Sequence, residues 1–332
     1  MHRRNFLGTS FAAVTATSTV FATTGLIGAS SAFAQAPARI ERIVVPFAPG
    51  GVQDILARSM STELGVALGQ TVIVENRPGA GGTVGTGYVA KSTPDGSTMV
   101  LGAASHNIAG TLYTKLNYDP QKDFAPMAHI GTADYVLMVH PDVPAKTVAE
   151  YIRYAKANPG KMNYATAGVG SATHLSMAYF NGLAGIDVVH IPLKATGEAI
   201  NEVISGRAQA VIAASIGALA FARDSRIRLI GVTSTKRSKY LPDVPTIAES
   251  GLPGYQFDSW FGLLGPTATP PAEIARVNAA IGKLLKDPVI LDRLDKQGIE
   301  PLAMSSADFG KLLAVDYKRM AEVVKASGAK VE

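Results

Sequence analysis

Residues 40–68 decide the fold: Ile40-Glu41-Arg42-Ile43-Val44-Val45-Pro46, then Phe47-Ala48-Pro49-Gly50-Gly51-Val52-Gln53-Asp54, then a run to Leu68. The first heptad is short, apolar and β-branched, as a buried strand requires. From Val52 onward Ile55, Leu56, Met60, Leu64 and Leu68 recur at helical spacing. Between strand and helix lies a turn stiffened by Pro46 and Pro49 and opened to close approach by Gly50 and Gly51. A strand feeding a helix through such a turn is the first half of a right-handed βαβ unit.

The pattern repeats downstream. Thr71–Glu75 and Thr98–Leu101 read as further strands, separated by the glycine-rich turn Arg77-Pro78-Gly79-Ala80-Gly81-Gly82. A second series begins after Tyr135–His140. It has a helix over 147–157, a strand over 162–165, and the turn Thr166-Ala167-Gly168-Val169-Gly170-Ser171-Ala172, which opens a helix through Leu183. Strands follow at 187–191, 208–212 and 228–233, with a helix over 196–205. The C-terminus reads as helices over 271–285, 288–297 and 306–326. Alternating strands and helices imply a mostly parallel sheet. Two such series imply an α/β protein of two lobes, each a doubly wound sheet. Chain crossings are expected at Tyr135–His140 and Tyr255–Leu264. Lobe 1 then comprises residues 35–138 and 260–332, and lobe 2 residues 139–259.

Residues 1–34 read as an export signal, with Arg3-Arg4-Asn5-Phe6-Leu7, a mildly apolar middle, and Ala32-Phe33-Ala34 as a small-residue cleavage pattern. The arginine pair favours the twin-arginine route over an ordinary secretory signal. Cleavage near Ala34 leaves 298 of the 332 residues, and losing Arg3 and Arg4 lowers the net charge from +5 to +3. The remaining basic residues are scattered, which argues against nucleic acid as a partner. With no cysteine, the exported chain depends on its core rather than on disulfides, and thiol chemistry is excluded.

Ligands of open α/β sheets lie beyond the carboxyl ends of the strands. Three turns have suitable chemistry: 46–54, Gly102-Ala103-Ala104-Ser105-His106, and 166–172. At the first and third a helix begins, so unpaired N–H groups and roughly half a positive charge favour an anion.

The chain resembles the substrate-binding receptors of tripartite tricarboxylate transporters, the Bug-type family. The resemblance rests on Val45–Gly51 with Asp54, Val74-Glu75-Asn76-Arg77-Pro78-Gly79, Tyr118-Asp119-Pro120, His174-Leu175, His190-Ile191-Pro192, Leu241–Thr246 and Trp260–Leu264, and it spans the chain beyond the signal in order. It implies a periplasmic two-lobed flytrap of the type II-like binding-protein fold, monomeric and without cofactor or metal. A small organic carboxylate would be clamped at the hinge and handed to membrane permease subunits. Carried over residue by residue, Phe47, Ala48, Pro49, Gly50, Gly51, Val52 and Asp54 line the first lobe with Ser105. Thr166, Ala167, Gly170, Ser171 and Ala172 receive a carboxylate on the second. His174 reads as a packed residue that orients the loop. The chain departs from the family at Leu193-Lys194-Ala195 and at Ala208–Ala214, where acids and an amide often found elsewhere are Gln209, Ala213 and Ala214. Losing those acids argues against an amino-acid ligand and for a mono- or dicarboxylate with an apolar or aromatic body. A sensor without a transport role remains open.

Enzyme readings are weaker. Gly85-Thr86-Gly87-Tyr88-Val89-Ala90 matches a dinucleotide fingerprint, but it lies well past its strand. Ala213-Ala214-Ser215-Ile216-Gly217 is like a hydrolase nucleophile turn, yet no histidine follows His190 to serve as base. The six histidines show no metal-binding spacing.

Overall fold

The structure is a computed structural model and describes residues 39–330. The proposed export signal and its cleavage site at Ala34 lie outside those residues. No helix among the described residues is long and apolar enough to cross a membrane.

Strands and helices alternate as the residue pattern requires. The first series is β1 (Ile40–Val45), α1 (Val52–Leu68), β2 (Thr71–Asn76), α2 (Thr83–Ala90), β3 (Thr98–Gly102) and α3 (Ala104–Leu112). The strand β4 (Phe124–Val139) leads into α4 (Val148–Ala157), β5 (Asn163–Thr166), α5 (Ala172–Ala184), β6 (Val189–Pro192) and α6 (Thr196–Ile204). The strand β7 (Ala210–Ala214), the single turn α7 (Ser215–Ala218) and β8 (Arg228–Val232) complete the second series. The chain closes with β9 (Asp258–Pro266), α8 (Pro271–Leu284), α9 (Pro288–Lys296), β10 (Glu300–Pro301) and α10 (Ser306–Ser327).

The strands run in the order β2-β1-β3-β9-β4-β7-β5-β6, with β8 and β10 also on β4. The pairs β1/β2, β1/β3, β5/β6 and β5/β7 are parallel, and β9 is antiparallel to both β3 and β4. β4 carries the two-lobed design. From Phe124 to Asp134 it pairs with β9, and from Tyr135 to Val139 with β7 and β8. Its partners thus change between Asp134 and Tyr135, at the first residue of the expected crossing. The second passage lies between Phe257, whose N–H donates to the Thr233 carbonyl at 3.0 Å, and Asp258, the first residue of β9. The first half of β4 has no sequence signature as a strand. It contains Pro126 and Gly131, and its register slips beside both; such bulges break period-two alternation.

Helix α10 ties the halves together. Phe309 and Leu313 pack with Trp260 and Val100 on the first half, while Met320 and Val323 enter the core around Tyr135, Phe180 and Tyr255 in the second. The buried Asp316 carboxylate accepts from Asn107 Nδ2, Trp260 Nε1 and Arg319, at 2.9, 2.9 and 2.8 Å. It joins α10 to α3 and β9 at once.

Beneath the 166–172 turn the rings of Tyr164, His190 and His174 form a stack, with centroids 4.9 and 4.3 Å apart. His174 Nδ1 accepts the Gly170 N–H at 3.2 Å, and His190 Nε2 lies 2.6 Å from Thr166 Oγ1. Burial pulls both imidazoles down to about 4, and the neighbouring His190 lowers His174 further.

Two outcomes follow from this packing. Asp316→Ala leaves the buried Trp260 Nε1 without a partner and takes one bond each from Asn107 and Arg319, which keep Leu313 and Asp258, so unfolding in urea should show a loss of roughly 2–4 kcal/mol; an unchanged midpoint contradicts the role given to Asp316. Both stacked histidines stay neutral in the folded chain down to about pH 4, whereas the unfolded chain protonates them near ~6.5. The unfolded state therefore binds more protons in that window, and stability falls as pH drops through it. Calorimetry should show the melting temperature declining already between about pH 6.5 and 5, above the range of most carboxylates, and His190→Gln should lessen that decline, the buried His106, His129 and His174 carrying the rest. A profile that stays level until carboxylates titrate contradicts it.

Candidate functional site

Four helices begin at one cavity between the two halves. It is lined from the first half by Phe47, Gly51, Val52, Gln53, Ala103, Ser105 and Phe261. From the second half come Tyr135, Ala167, Ser171, Ala172, Thr173, Thr196 and Ala214. These residues bring in the N-termini of α1, α3, α5 and α6. No lining residue carries a charge.

The way these helices start leaves donors unspent. Gly51, Ala103 and Ala195 precede α1, α3 and α6 and have no side chain that caps the first turn. Elsewhere α4 is capped by Thr147, α9 by Asp287 and α10 by Ser305, and of the helices at the cavity α5 alone has a side-chain cap, Ser171. At the cavity, the N–H groups of Val52, Gln53, Ser105, Ala172, Thr173, Thr196 and Gly197 have no hydrogen-bond partner among the described residues. The hydroxyls of Ser105 and Thr196 likewise have none. Each helix start adds roughly half a positive charge, so the site is electropositive without arginine or lysine.

The supporting turns are fixed from behind. Asp54 turns away from the cavity: it accepts from the Gly50 N–H at 2.9 Å, from Asn76 Nδ2 and from Arg58, with which it forms an ion pair. Gln53 Nε2 donates to the Leu101 carbonyl at 2.8 Å. In the opposite turn, Thr173 Oγ1 accepts the Ala167 N–H at 2.8 Å, Thr166 Oγ1 that of Gly168 at 3.1 Å, and Ser171 Oγ that of His174 at 3.2 Å.

Of the residues singled out in the sequence, Phe47, Gly51, Val52, Ser105, Ala167, Ser171 and Ala172 face the cavity. Ala48, Pro49 and Gly50 form the outer part of their turn, and the Ala48 carbonyl accepts the Gly51 N–H at 3.3 Å. Asp54 and Thr166 buttress from behind, and the Gly170 N–H is committed to His174. Sequence reading missed Gln53, Ala103, Tyr135, Thr173, Thr196, Ala214 and Phe261. The clearest available signal was Thr196, which opens a helix straight after the divergent Leu193-Lys194-Ala195.

The inner cavity is about 30 Å³, room for roughly two waters. An open groove of about 1050 Å³ adjoins it, sharing Phe47 and Ala167 and bordered by Pro78–Gly82, Gly168, Val169 and Lys194. The inner cavity and the groove together form one passage from the unpaired donors to solvent.

The features that suggested enzymes have structural uses. Gly85 and Gly87 lie inside α2, not at a strand–helix turn. The Ser215 hydroxyl is buried and donates to the Gly298 carbonyl at 3.0 Å. No group of three or more metal-ligating side chains forms among the described residues.

A family model described as the tripartite tricarboxylate transporter family receptor matches residues 56–329. The periplasmic binding protein BugD superposes with a TM-score of 0.85 at 31% identity, covering 90% of this chain and 100% of that one. Rpa4515 from R. palustris, solved with adipate, gives 0.84 at 31% identity, over 89% of this chain and 99% of its own. MatC from Rhodopseudomonas palustris, solved with malate, gives 0.83 at 32% identity, over 87% and 99%. These relatives share the two-lobed α/β architecture described above, and the chain belongs to the tripartite tricarboxylate transporter receptor family of periplasmic solute-binding proteins.

Proposed function

We propose that this protein is an exported receptor that captures a small organic mono- or dicarboxylate between its lobes and presents it to the membrane subunits of a tripartite transporter. The two lobes hinge where β4 changes partners, between Asp134 and Tyr135, and where the chain enters β9 at Asp258, a few residues before the bounds 35–138, 139–259 and 260–332 expected from the sequence. The observation that carries the reading is the convergence of helix starts from both lobes on one uncharged cavity. A carboxylate there accepts charge-assisted hydrogen bonds from backbone N–H groups and from the Ser105 and Thr196 hydroxyls. Only the closed arrangement supplies donors from both lobes at once, so the ligand favours closure by the difference in contacts.

The walls narrow the ligand class. Phe47, Val52, Phe261, Tyr135 and Ala214 offer apolar surface, and no lining carboxylate is available to pair with an ammonium. Adipate and malate, found in the relatives, are suitable probes. The pocket favours an acid with an aliphatic or aromatic body over an amino acid. The reading is one of binding without reaction: the unspent groups are donors for an anion, and no carboxylate or imidazole lines the cavity to activate the Ser105 or Thr196 hydroxyl.

Titration calorimetry with adipate, malate, benzoate and aspartate tests this. At least one of the first three should bind more tightly than aspartate. Ser105→Ala should weaken that ligand about 10-fold, the value of one charge-assisted hydrogen bond. Ala172→Asp should weaken it by about 100-fold or more, through like charge at a helix start. Preference for aspartate, or binding indifferent to both substitutions, contradicts the assignment.

A further inference from the structure

The groove beside the cavity is spanned at one point. The loop Pro78–Gly82 of the first lobe meets the loop Gly168–Gly170 of the second. Gly81, at φ 63°, lies so close to Val169 that a Cβ on it would overlap the Val169 carbonyl. Tyr113 caps the C-terminus of α3, on the first lobe, and its ring lies over Gly170, where an added Cβ would come within 2.7 Å. The Tyr113 hydroxyl reaches two carbonyls, Ala80 at 2.9 Å and Val169 at 3.1 Å.

A phenol has one proton to donate, and the two acceptors differ in need. The Ala80 carbonyl already accepts from the Thr83 hydroxyl at 3.0 Å and from the Thr83 N–H. The Val169 carbonyl has no other partner among the described residues. The proton therefore gains most by bonding to Val169, across the lobes. Ala80 is the one non-glycine among the described residues with a positive φ, at 44°, a conformation that residues with a Cβ seldom adopt. It turns the 78–82 loop so that its carbonyl faces the same hydroxyl. None of these groups belongs to the anion-binding set.

We propose that Tyr113 is an interlobe latch: its hydroxyl holds the Val169 carbonyl, biases the lobes toward closure before any ligand is bound, and slows the escape of a captured ligand. The closure bias stands on this geometry alone. The effect on escape rests on the reading that the ligand lies between the lobes.

The chain contains no cysteine, so spin labels can be placed cleanly at Val66→Cys on α1 and Leu183→Cys on α5, both exposed and on different lobes. Distance distributions from double electron–electron resonance, with no carboxylate present, compare this pair with and without Tyr113→Phe. The phenylalanine keeps the ring over Gly170 and removes only the hydroxyl. The latch predicts a population at the separation seen in this structure, whose ratio to the remainder falls about five-fold in Tyr113→Phe, the weight of one net hydrogen bond, with the melting temperature unchanged. Identical distributions in the two proteins, or the absence of that population when Tyr113 is intact, overturn it. A second arm follows release of adipate and malate by stopped-flow Trp260 fluorescence. Release about five-fold faster in Tyr113→Phe supports the effect on escape, and an unchanged rate removes it. If neither acid binds while the distances still shift, the latch stands and the choice of carboxylate is what fails.

Discussion

A peptide N–H in the first turn of a helix has no carbonyl one turn back to bond, and leaving it buried without an acceptor costs on the order of 1–3 kcal/mol. The helices α4, α5, α9 and α10 meet that cost with a side chain at the N-cap. Three of the four that open onto the interlobe cavity do not: Gly51, Ala103 and Ala195 provide no capping oxygen, and the donors behind them stay unspent. The rest of the architecture keeps those donors pointed at one place and able to part and rejoin. An arginine there would bind an anion too, but its flexible side chain must be ordered and desolvated each time. Oriented amides are already ordered by their helices, so less freedom is lost on binding.

That requirement explains features that are otherwise unrelated. Asp54 is buried at the start of α1 yet faces away from the cavity, because its carboxylate holds Gly50, Asn76 and Arg58 in place. Thr166, Thr173, Ser171 and His174 each spend their polar atoms fixing the opposite turn. β4 runs through both half-sheets and lets them share a hinge. Asp316 anchors the helix that packs on both. On the proposed reading the lobes move as bodies while the local geometry of each turn at the cavity survives.

The sequence revealed the lobes and half of the cavity for definite reasons. The apolar heptad before the Pro46–Gly51 turn and the helical spacing after it are local signals, and local signals survive without coordinates. So do the glycines and Ser171 ahead of α5. Ala214, Tyr135 and Phe261 were invisible as site residues because strand pairing alone brings them to the cavity, and nothing in their neighbourhoods marks that. Gly170 illustrates the converse. Its type and position suit an anion site, but its N–H is already taken by a histidine four residues on, a fact that only geometry discloses. The first half of β4 was missed because Pro126, Gly131 and two register slips erase alternation while pairing with β9 preserves the strand.

A crystal structure of the mature protein with a bound carboxylate tests the central claim most directly. The account predicts carboxylate oxygens about 3 Å from the backbone nitrogens that open α1 and α5, with the Ser105 or Thr196 hydroxyl completing the shell and no lysine or arginine in contact. A ligand held by a basic side chain, or lying wholly in the outer groove with those nitrogens still unpaired, would contradict it.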